Sequence, residues 1–424
     1  MDKVVNKAKK PLIAEISVPA DKSIAHRSVM FASLAKGKSI IENFPPAEDP
    51  LSTLEVCKSL GINATIKNST LEIISNGKLI LPTNHLNCGN SGTTMRLMSG
   101  ILAGQNFKTI LIGDESLSKR PMKRIIEPLT LMGAKINSNN YTAPLEIFGN
   151  ELHSIEYVSK ISSAQVKSAI LLAGLFANGK TKFTEPHLSR NHTELMLSSM
   201  GANIVSENNT VSIEKSELEP INIKICGDIS SAAYFIVAAL IIPNSSIIIK
   251  NVGLNKTRTG IIDILKKMNA NIEILNKETI ANEEVGDIKV SYSDLISCEV
   301  SGDIIPRLID EIPIIAVAAT QAKGTTHIKD ANDLRNKESD RIKAIVCELK
   351  KMGADIEETS DGMIIHGKTE LIGNCECETF HDHRIAMSLY VAGLVSKKEI
   401  LIKNFEWVNI SFPNFENIFN NMFS

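Results

Sequence analysis

The sequence predicts an α/β protein built from six repeats. Three observations support this prediction: a nine-residue segment that recurs along the chain, a more apolar segment that alternates with it, and a length of 424 residues, enough for two cores. Six repeats could close into one ring or into two domains of three repeats each, and this chain length favours two domains.

The recurring segment has the pattern of an amphipathic helix. Its fifth residue is always apolar, its eighth is always Leu or Met, and it usually ends in Gly or Asn, as expected just after a helix C-terminus. The ends of successive copies lie 72, 68, 68, 84 and 70 residues apart. We predict one such helix at each of 53–61, 125–133, 193–201, 261–269, 345–353 and 415–423.

The alternating segment predicts a second helix in each repeat. It combines small and apolar residues on all sides and is followed by a turn and a β-branched strand. A helix that is apolar all round must be buried. The copies occupy 29–44, 96–114, 169–186, 233–252, 314–331 and 386–405.

The repeats also predict the domain boundaries. The chain is half complete near residues 221–227, between the third and fourth copies. The apolar strand at 12–18 precedes the first full repeat, and we expect it to complete the C-terminal domain. We therefore predict one domain at 17–222 and another formed by 1–16 together with 223–424.

Composition limits the classes of partner. A net charge of −2 and an aromatic content of 4% argue against a nucleic-acid-binding protein. No signal-peptide pattern or membrane-span pattern is found, so we expect a cytoplasmic protein with no membrane partner. The seven cysteines lack CxxC spacing, which disfavours a disulfide framework or a zinc site and indicates free thiols.

Polar residues precede each apolar helix, at 21–27, 88–96, 162–168, 227–233, 306–313 and 381–384. They belong to the residue types that cap helix N-termini, and five of these six segments contain Lys or Arg. A helix N-terminus presents unpaired N–H groups and a positive dipole end. Because the segments recur at equivalent positions of the repeats, we predict that they converge on a site for small polyanions. For any single segment, an ordinary cap with solvated charges is the alternative.

Several residues are candidates on their own chemistry. Lys22, Ser23 and Arg27 fit a clamp for phosphate or carboxylate. Gly92 lies in a glycine-rich loop that would let the backbone approach an anion, and Arg120 precedes a proline that fixes its loop. A solvated surface turn is the alternative for Arg120.

Carboxylates interrupt an apolar stretch at Asp310 and Glu311, which is costly unless they are paired or used. A satisfied N-cap is the alternative. Lys337 and Arg341 are four residues apart, and we expect them to share a helix face with an anion between them. In HDHR at 381–384 we disfavour a metal site, expect Asp382 to cap a helix, and favour Arg384 as the functional residue.

Taken together, these motifs resemble the 5-enolpyruvylshikimate-3-phosphate synthase family. The resemblance runs from about Pro11 to Phe415 and includes, in order, ADKSIAHR, GNSGTTMR, KRP, SAQVKS, SRNHTE, IPRLIDEIP, RNKESDR, HDHR and SFP. It implies an inside-out α/β barrel fold with two domains of three βαβαββ units, whose helix N-termini face a cleft that holds the active site.

The resemblance implies transfer of the enolpyruvyl group of phosphoenolpyruvate to the 5-hydroxyl of shikimate 3-phosphate, in the shikimate pathway to chorismate and the aromatic amino acids. It implies no metal or cofactor, and we expect a monomer. It makes Asp310 the base and Glu338 and Lys22 the acid candidates. The implied shikimate 3-phosphate ligands are Lys22, Ser23, Arg27, Ser163, Ala164, Gln165, Asp310 and Lys337, with Arg190 as a further phosphate candidate. The implied phosphoenolpyruvate ligands are Lys22, Gly92, Arg120, Gln165, Arg341 and Arg384.

Two positions depart from the family pattern. Ala20 stands where many members have Gly, which disfavours a positive φ there, and Ile410 stands where some members have Lys, which places more of the phosphoenolpyruvate binding on Arg341 and Arg384. Two other functions remain possible on sequence grounds. The first is enolpyruvyl transfer to UDP-N-acetylglucosamine, although the loop GDESLSKRP lacks the cysteine typical of that family. The second is a non-catalytic anion-binding scaffold, which would not require Asp310 and Glu338.

Overall fold

The chain forms two units, and each unit is assembled from more than one segment. In this computed structural model, which describes residues 1–423, one unit contains Met1–Pro19, Cys226–Glu278 and Glu284–Ser424. The other contains Ala20–Ile225 and Thr279–Glu283. We call them unit 1 and unit 2. Ser424, the last residue of the predicted second domain, lies outside the described residues.

Two kinds of helix alternate along the chain, as the sequence predicts. The buried, apolar kind comprises α1 Lys22–Leu34, α3 Gly92–Ala103, α5 Ala164–Gly174, α7 Ile229–Ile241, α10 Ile312–Gln321 and α12 His383–Gly393. The amphipathic kind comprises α2 Glu48–Ser59, α4 Lys123–Leu131, α6 His192–Ser199, α8 Gly260–Lys267, α11 Arg341–Lys351 and α13 Phe415–Phe423. A short helix, α9 Ile305–Leu308, precedes α10.

Strands follow the helices in every repeat. In the first half of the chain they are β1 Lys3–Val5, β2 Ile13–Ser17, β3 Lys36–Glu42, β4 Asn63–Lys67, β5 Thr70–Asn76, β6 Leu86–Asn87, β7 Lys108–Ile112, β8 Lys135–Asn139, β9 Thr142–Phe148, β10 Glu156–Val158, β11 Thr181–Thr184, β12 Ile204–Glu207, β13 Thr210–Ile213 and β14 Asn222–Lys224. In the second half they are β15 Ser246–Gly253, β16 Asn271–Ile280, β17 Glu283–Ser291, β18 Glu299–Val300, β19 Gly324–Ile328, β20 Asp355–Glu358, β21 Met363–Gly367, β22 Glu376–Cys377 and β23 Ile400–Ile402.

The strands form small mixed sheets that share one plan. In each sheet the strand that follows a buried helix has a parallel strand on one side and an antiparallel strand on the other. The strand orders are β14-β3-β5-β4, β6-β7-β9-β8, β10-β11-β13-β12, β16-β17-β15-β2, β18-β19-β21-β20 and β1-β23-β22. The six repeats seen in the sequence are therefore six copies of one helix and sheet arrangement.

Three strands pair outside their own repeat. β2 lies parallel to β15, from Ser246 paired with Ile13 to Lys250 paired with Ser17, so the opening strand completes a sheet of unit 1, as predicted. The sequence analysis did not predict the reciprocal pairing, in which β14 lies parallel to β3 in unit 2. It also missed β1, which is only three residues long and pairs with β23 in the sixth sheet.

The buried helices form the core of each unit because they have no polar face. All residues of α7 are buried, and in unit 1 its Phe235 packs on α13, with ring centroids 4.5 Å from Phe419. Phe415 lies 5.1 Å from Phe419, and Tyr390 of α12 lies 5.2 Å from it. Within residues 1–423, no helix has both the length and the apolar character needed to span a membrane.

We expect Phe419→Ala to destabilise unit 1 by about 3–5 kcal/mol, because it leaves a cavity among three aromatic rings. The matched control is Asn417→Ala, which changes an exposed residue of the same helix and should alter stability by less than about 0.5 kcal/mol. Urea unfolding followed by circular dichroism measures both values. Equal midpoints for the two variants would contradict the packing role of Phe419.

Candidate functional site

The N-termini of the buried helices are capped by polar side chains, as the sequence predicts for most of them. Asp21 accepts from Ile24 N in α1, Ser91 from Thr94 N in α3, Asp228 from Ser230 N in α7 and Asp382 from Arg384 N in α12. Ser163 and Glu311 directly precede α5 and α10, and neither makes a side-chain capping hydrogen bond. The candidate residues lie at or near these helix ends, where backbone N–H groups favour anions.

In unit 2, Lys22 and Arg27 extend from α1. The Nζ of Lys22 lies 2.9 Å from Asp49 Oδ2. The Arg27 side chain is only 3% exposed and donates from Nη1 to the Ser23 carbonyl at 3.0 Å. It also donates from Nε to Thr193 Oγ1 at 2.7 Å and from Nη2 to Ser168 Oγ at 2.9 Å. These bonds use three of the five guanidinium N–H groups of Arg27.

Gly92 lies beside two arginines in the same unit. A Cβ at this position would be 2.8 Å from Arg96 Nη1 and 3.5 Å from Arg120 Nη1. Arg96 Nη1 donates to Gln165 Oε1 at 2.8 Å, which joins the first turn of α3 to that of α5, where Ser163 and Ala164 also lie. The structure thus groups Gly92, Arg120, Gln165, Ser163 and Ala164 around two helix N-termini.

Sequence reasoning missed two members of this group. Arg96 ends the quoted motif GNSGTTMR, so its position after a glycine loop was the available signal. Asp49, the partner of Lys22, has no sequence signal, because its contact depends on how α2 packs on α1. The acidic side chain keeps the Lys22 ammonium near the start of α1.

A chain of hydroxyl groups connects α1 to α3 through His26, which is fully buried. His26 Nδ1 lies 2.6 Å from Thr53 Oγ1, which lies 2.6 Å from Thr94 Oγ1, which donates to Ser91 Oγ at 2.7 Å. Each hydroxyl has one proton, so Thr53 must donate to Thr94 and His26 must donate from Nδ1. Its Nε2 is then an unprotonated atom, and it has no hydrogen-bond partner among residues 1–423.

This geometry explains the state of the imidazole. Burial lowers the pKa of His26 from 6.5 to about 3, against an opposing effect of Asp49 and with a further lowering by the charges of Lys22 and Arg27. A second proton on Nε2 would be a buried charge with no acceptor. His26 is therefore neutral and connects α1 to the N-terminal turn of α3.

In unit 1, the carboxylate of Asp310 is surrounded by cations. Its Oδ1 lies 3.4 Å from Lys337 Nζ and 3.2 Å from Arg341 Nη1, and its Oδ2 lies 3.9 Å from Arg384 Nη2. Asp310 lies in a 3-10 turn at Ile309–Glu311, directly before α10, where it is 8% exposed. The structure therefore brings Asp310, Lys337, Arg341 and Arg384 together, with Glu338 beside them.

The expected helical spacing of Lys337 and Arg341 is wrong. Asp340 accepts from Lys343 N and caps α11, which begins at Arg341, so Lys337 and Glu338 precede the helix. The two cations nevertheless have an anion between them, and that anion is the Asp310 carboxylate. A polar capping residue ended the helix where the sequence interpretation extended it.

The Arg341 guanidinium donates hydrogen bonds to three carboxylates. It donates from Nε to Asp382 Oδ2 at 2.7 Å, from Nη2 to Glu338 Oε2 at 2.5 Å and from Nη1 to Asp310 Oδ1 at 3.2 Å. Desolvation opposes its charge, but Asp382, Glu338 and Asp310 together raise the pKa of Arg341. It is 1% exposed, so an incoming anion must compete with these carboxylates for its N–H groups.

Glu311 and Arg258 extend the unit 1 cluster. Glu311 is 1% exposed and accepts a hydrogen bond from Ser230 Oγ, and its Oε1 lies 3.8 Å from Arg384 Nη1. Arg258 donates to Ser230 Oγ at 2.7 Å and to Asp228 Oδ1 at 3.0 Å. The sequence analysis did not single out Arg258, because it lies outside the helix starts.

The segment HDHR at 381–384 lies at the start of α12 and makes both polar and aromatic contacts. Asp382 caps α12, as predicted, and it also accepts a hydrogen bond from Arg341 Nε. The ring of His381 stacks on Trp407 at 4.8 Å. Among residues 1–423, no three or more His, Cys, Asp or Glu side chains are grouped so that they could hold a metal ion.

Three other positions were singled out in the sequence: Arg190, Ala20 and Ile410. Arg190 follows Ser189 in the loop before α6, and its charge lies close enough to Arg27 to lower the pKa of that residue. Ala20 is buried and is not among the residues with positive φ. Ile410 ends a 3-10 helix at Phe405–Ile410.

Comparisons with known proteins agree along the whole chain. Residues 6–419 match the model of the family described as EPSP synthase (3-phosphoshikimate 1-carboxyvinyltransferase). A 3-phosphoshikimate 1-carboxyvinyltransferase from Thermodesulfovibrio yellowstonii is 55% identical, over 98% of each chain. The EPSP synthase of Acinetobacter baumannii superposes with a TM-score of 0.90 at 41% identity, over 99% of this chain and 98% of that one.

A more distant structure supports the fold alone. The enolpyruvyl transferase NikO from Streptomyces tendae has a TM-score of 0.80 at 14% identity, over 99% of this chain and 97% of that one. With the Acinetobacter protein, it confirms the predicted fold class.

We expect the stability of the protein to fall as the pH falls below about 6.5, in part because of His26. The unfolded chain binds a proton there that the folded protein binds only near pH 3. His26→Asn keeps a hydrogen-bonding group near Nδ1 but does not titrate. Its unfolding free energy should therefore depend on pH less steeply between pH 6.5 and pH 4, by up to about 1.4 kcal/mol per pH unit.

Urea unfolding at several pH values tests this expectation. Ser59→Ala, an exposed change in α2, is the control and should keep the wild-type slope. Equal slopes for His26→Asn and the wild type would show that the imidazole does not titrate as proposed.

Proposed function

The chain belongs to the EPSP synthase (3-phosphoshikimate 1-carboxyvinyltransferase) family, and we infer from this that it transfers the enolpyruvyl group of phosphoenolpyruvate to the 5-hydroxyl of shikimate 3-phosphate. The products are 5-enolpyruvylshikimate 3-phosphate and phosphate, in the shikimate pathway. The structural observation that supports the inference most is the Asp310 carboxylate, which lies within 4 Å of Lys337, Arg341 and Arg384.

We propose that each substrate is bound by the set of residues that the family motifs imply for it. Lys22, Ser23, Arg27, Ser163, Ala164 and Gln165, with Asp310 and Lys337, bind shikimate 3-phosphate. Lys22, Gly92, Arg120, Gln165, Arg341 and Arg384 bind phosphoenolpyruvate. Both substrates are anions, and the residues lie beside helix N-termini that favour negative charge.

The reaction needs a base and an acid. In the proposal, Asp310 removes the proton of the 5-hydroxyl as oxygen attacks C2 of phosphoenolpyruvate, and Glu338 or Lys22 protonates the methylene carbon. The tetrahedral adduct then loses phosphate as the methyl carbon returns a proton. No step requires a metal or a cofactor.

The contacts of Arg341 suggest how the acid is released. Glu338 Oε2 is 2.5 Å from Arg341 Nη2. A phosphoenolpyruvate carboxylate that binds Arg341 replaces one carboxylate with another at the same guanidinium. In the proposal, this exchange releases the Glu338 carboxylate, which then takes up a proton from solvent and gives it to the methylene carbon only when the substrate is present.

The proposal extends to the state of the protein in the cell. We propose a monomer that acts in the cytoplasm on small molecules, without a nucleic-acid or membrane partner. Sedimentation of the purified protein tests the first point.

The function is tested by phosphate release with phosphoenolpyruvate and each of two acceptors. We expect release with shikimate 3-phosphate and none above background with UDP-N-acetylglucosamine. Phosphate release with UDP-N-acetylglucosamine alone would show that this compound, and not shikimate 3-phosphate, is the acceptor. Release with neither acceptor would favour a non-catalytic anion-binding protein.

For Asp310→Asn we expect a loss of turnover of about 10²–10⁴-fold, because the general base is removed. Binding of shikimate 3-phosphate should persist, which calorimetry measures. Asp303→Asn, a change in the turn before α9, is the control and should keep wild-type turnover. Retained turnover in Asp310→Asn would exclude this residue as the base.

A further inference from the structure

Lys167 is a fully buried cation that the proposed reaction does not use. It lies on α5, two residues after Gln165, and its side chain is 1% exposed. Its Nζ lies 2.8 Å from Glu185 Oε1 and 2.8 Å from Glu194 Oε1, and those side chains are 1% and 6% exposed. The three charges form a buried triad in unit 2.

The triad is an unusual arrangement for stability alone. Two carboxylates face one ammonium, and the Oε2 atoms of Glu185 and Glu194 have no hydrogen-bond partner in the described part of the chain. Burying charges costs several kcal/mol per ion, and replacing buried ion pairs by apolar residues is often neutral or stabilising. The contacts of the triad with the backbone suggest a positional role instead.

The first of these contacts fixes the residue before Arg190. Ser189 N donates to Glu185 Oε1 at 2.9 Å, and Lys167 Nζ donates to the Ser189 carbonyl at 3.2 Å. Both backbone groups of Ser189 are therefore bound by the triad. Because Arg190 is the next residue, the position of its backbone is set by Lys167 and Glu185.

The other end of the loop reaches Arg27. Glu194 follows Thr193, whose Oγ1 accepts from Arg27 Nε at 2.7 Å and lies 2.7 Å from Ser168 Oγ. Ser168 follows Lys167 on α5 and accepts from Arg27 Nη2 at 2.9 Å. Burial lowers the pKa of Arg27 to about 10, while the charge of Glu194 raises it and that of Arg190 lowers it. The triad and both arginines are thus electrostatic neighbours.

We propose that Lys167, Glu185 and Glu194 are positioning residues for the phosphate group of the acceptor, which they serve by holding Arg190 and Arg27 in place. The proposal rests on the proposed function, because it assumes that the acceptor is shikimate 3-phosphate. It adds three residues to those proposed for the site, and none of the three contacts the substrate. It predicts that their substitution weakens the binding of shikimate 3-phosphate and leaves that of phosphoenolpyruvate unchanged.

The test compares Lys167→Met, Lys167→Arg and Glu194→Gln with the wild type. Glu156→Gln is the matched control, because Glu156 pairs with Lys182 at 2.6 Å on the exposed face of the same unit. Steady-state kinetics give kcat and the KM of each substrate. Calorimetry gives Kd for shikimate 3-phosphate and for shikimate, which lacks the phosphate.

In Lys167→Met and Glu194→Gln we expect KM and Kd for shikimate 3-phosphate to rise about tenfold or more, as for a loss of about 1.4 kcal/mol in binding. The KM of phosphoenolpyruvate and the Kd of shikimate should change by less than about twofold. Lys167→Arg, which keeps the charge and several donors, should recover most of the affinity. Glu156→Gln should match the wild type.

Three results would overturn the proposal: a wild-type KM for shikimate 3-phosphate in the folded variants, an equal rise in both KM values, or an equal loss of shikimate binding. If Lys167→Met does not fold, Glu194→Gln tests the proposal on its own. This substitution keeps the size of the side chain and one accepting oxygen. Activity of the wild-type protein is measured first. Its absence would reject the proposed function, whereas wild-type activity with unaltered variants would reject only the positioning role.

Discussion

The burial of positive charge within apolar helix packing is the constraint on which this structure depends. The buried helices carry Arg27, Lys167 and Arg384 within or just beside their first turns, in a chain whose net charge is only −2. Charge at such positions must be met locally, because bulk solvent does not reach it. The chain meets it with hydroxyls around Arg27 and with carboxylates around Lys167 and Arg384.

The two solutions suit different chemistry. Around Arg27 the acceptors are Ser168, Thr193 and a backbone carbonyl, which fix the guanidinium but leave its charge to a ligand. Around Arg341 the acceptors are carboxylates, which compete with a ligand and can be exchanged for it. Arg27 is therefore held by neutral acceptors, whereas Arg341 is held by charged ones.

Much of this could be predicted from the sequence, because repeats and helix periodicity are local patterns. Both helices of every repeat and the capping role of Asp382 followed from such patterns, whereas the grouping of Asp310 with Arg341 and Arg384 followed from the family resemblance. The extension of α11 to Lys337 was wrong because the capping strength of Asp340 was overlooked. Motif reasoning does not indicate a buried lysine such as Lys167, whose partners are distant along the chain.

Long-range pairing was the other limit. The pairing of β14 with β3 joins strands at opposite ends of unit 2, and no local pattern encodes it. The place of the opening strand was predicted only because it precedes the first full repeat. The sequence repeats thus predict the helices and strands. The pairing of β2 with β15 and of β14 with β3 determines which strands complete each unit.

The exchange of β2 and β14 has a consequence for synthesis on the ribosome. The continuous segment of unit 2 is available once β14 has emerged, because its partner β3 emerged long before. Unit 1 is different: β2 ends at Ser17, whereas its partner β15 begins at Ser246. During that interval β2 is an unpaired strand, the kind of segment that aggregates. Glu15 lies at the centre of β2, and Pro19 follows the strand. Charged residues and prolines at such positions disfavour pairing with other chains until β15 has been synthesised.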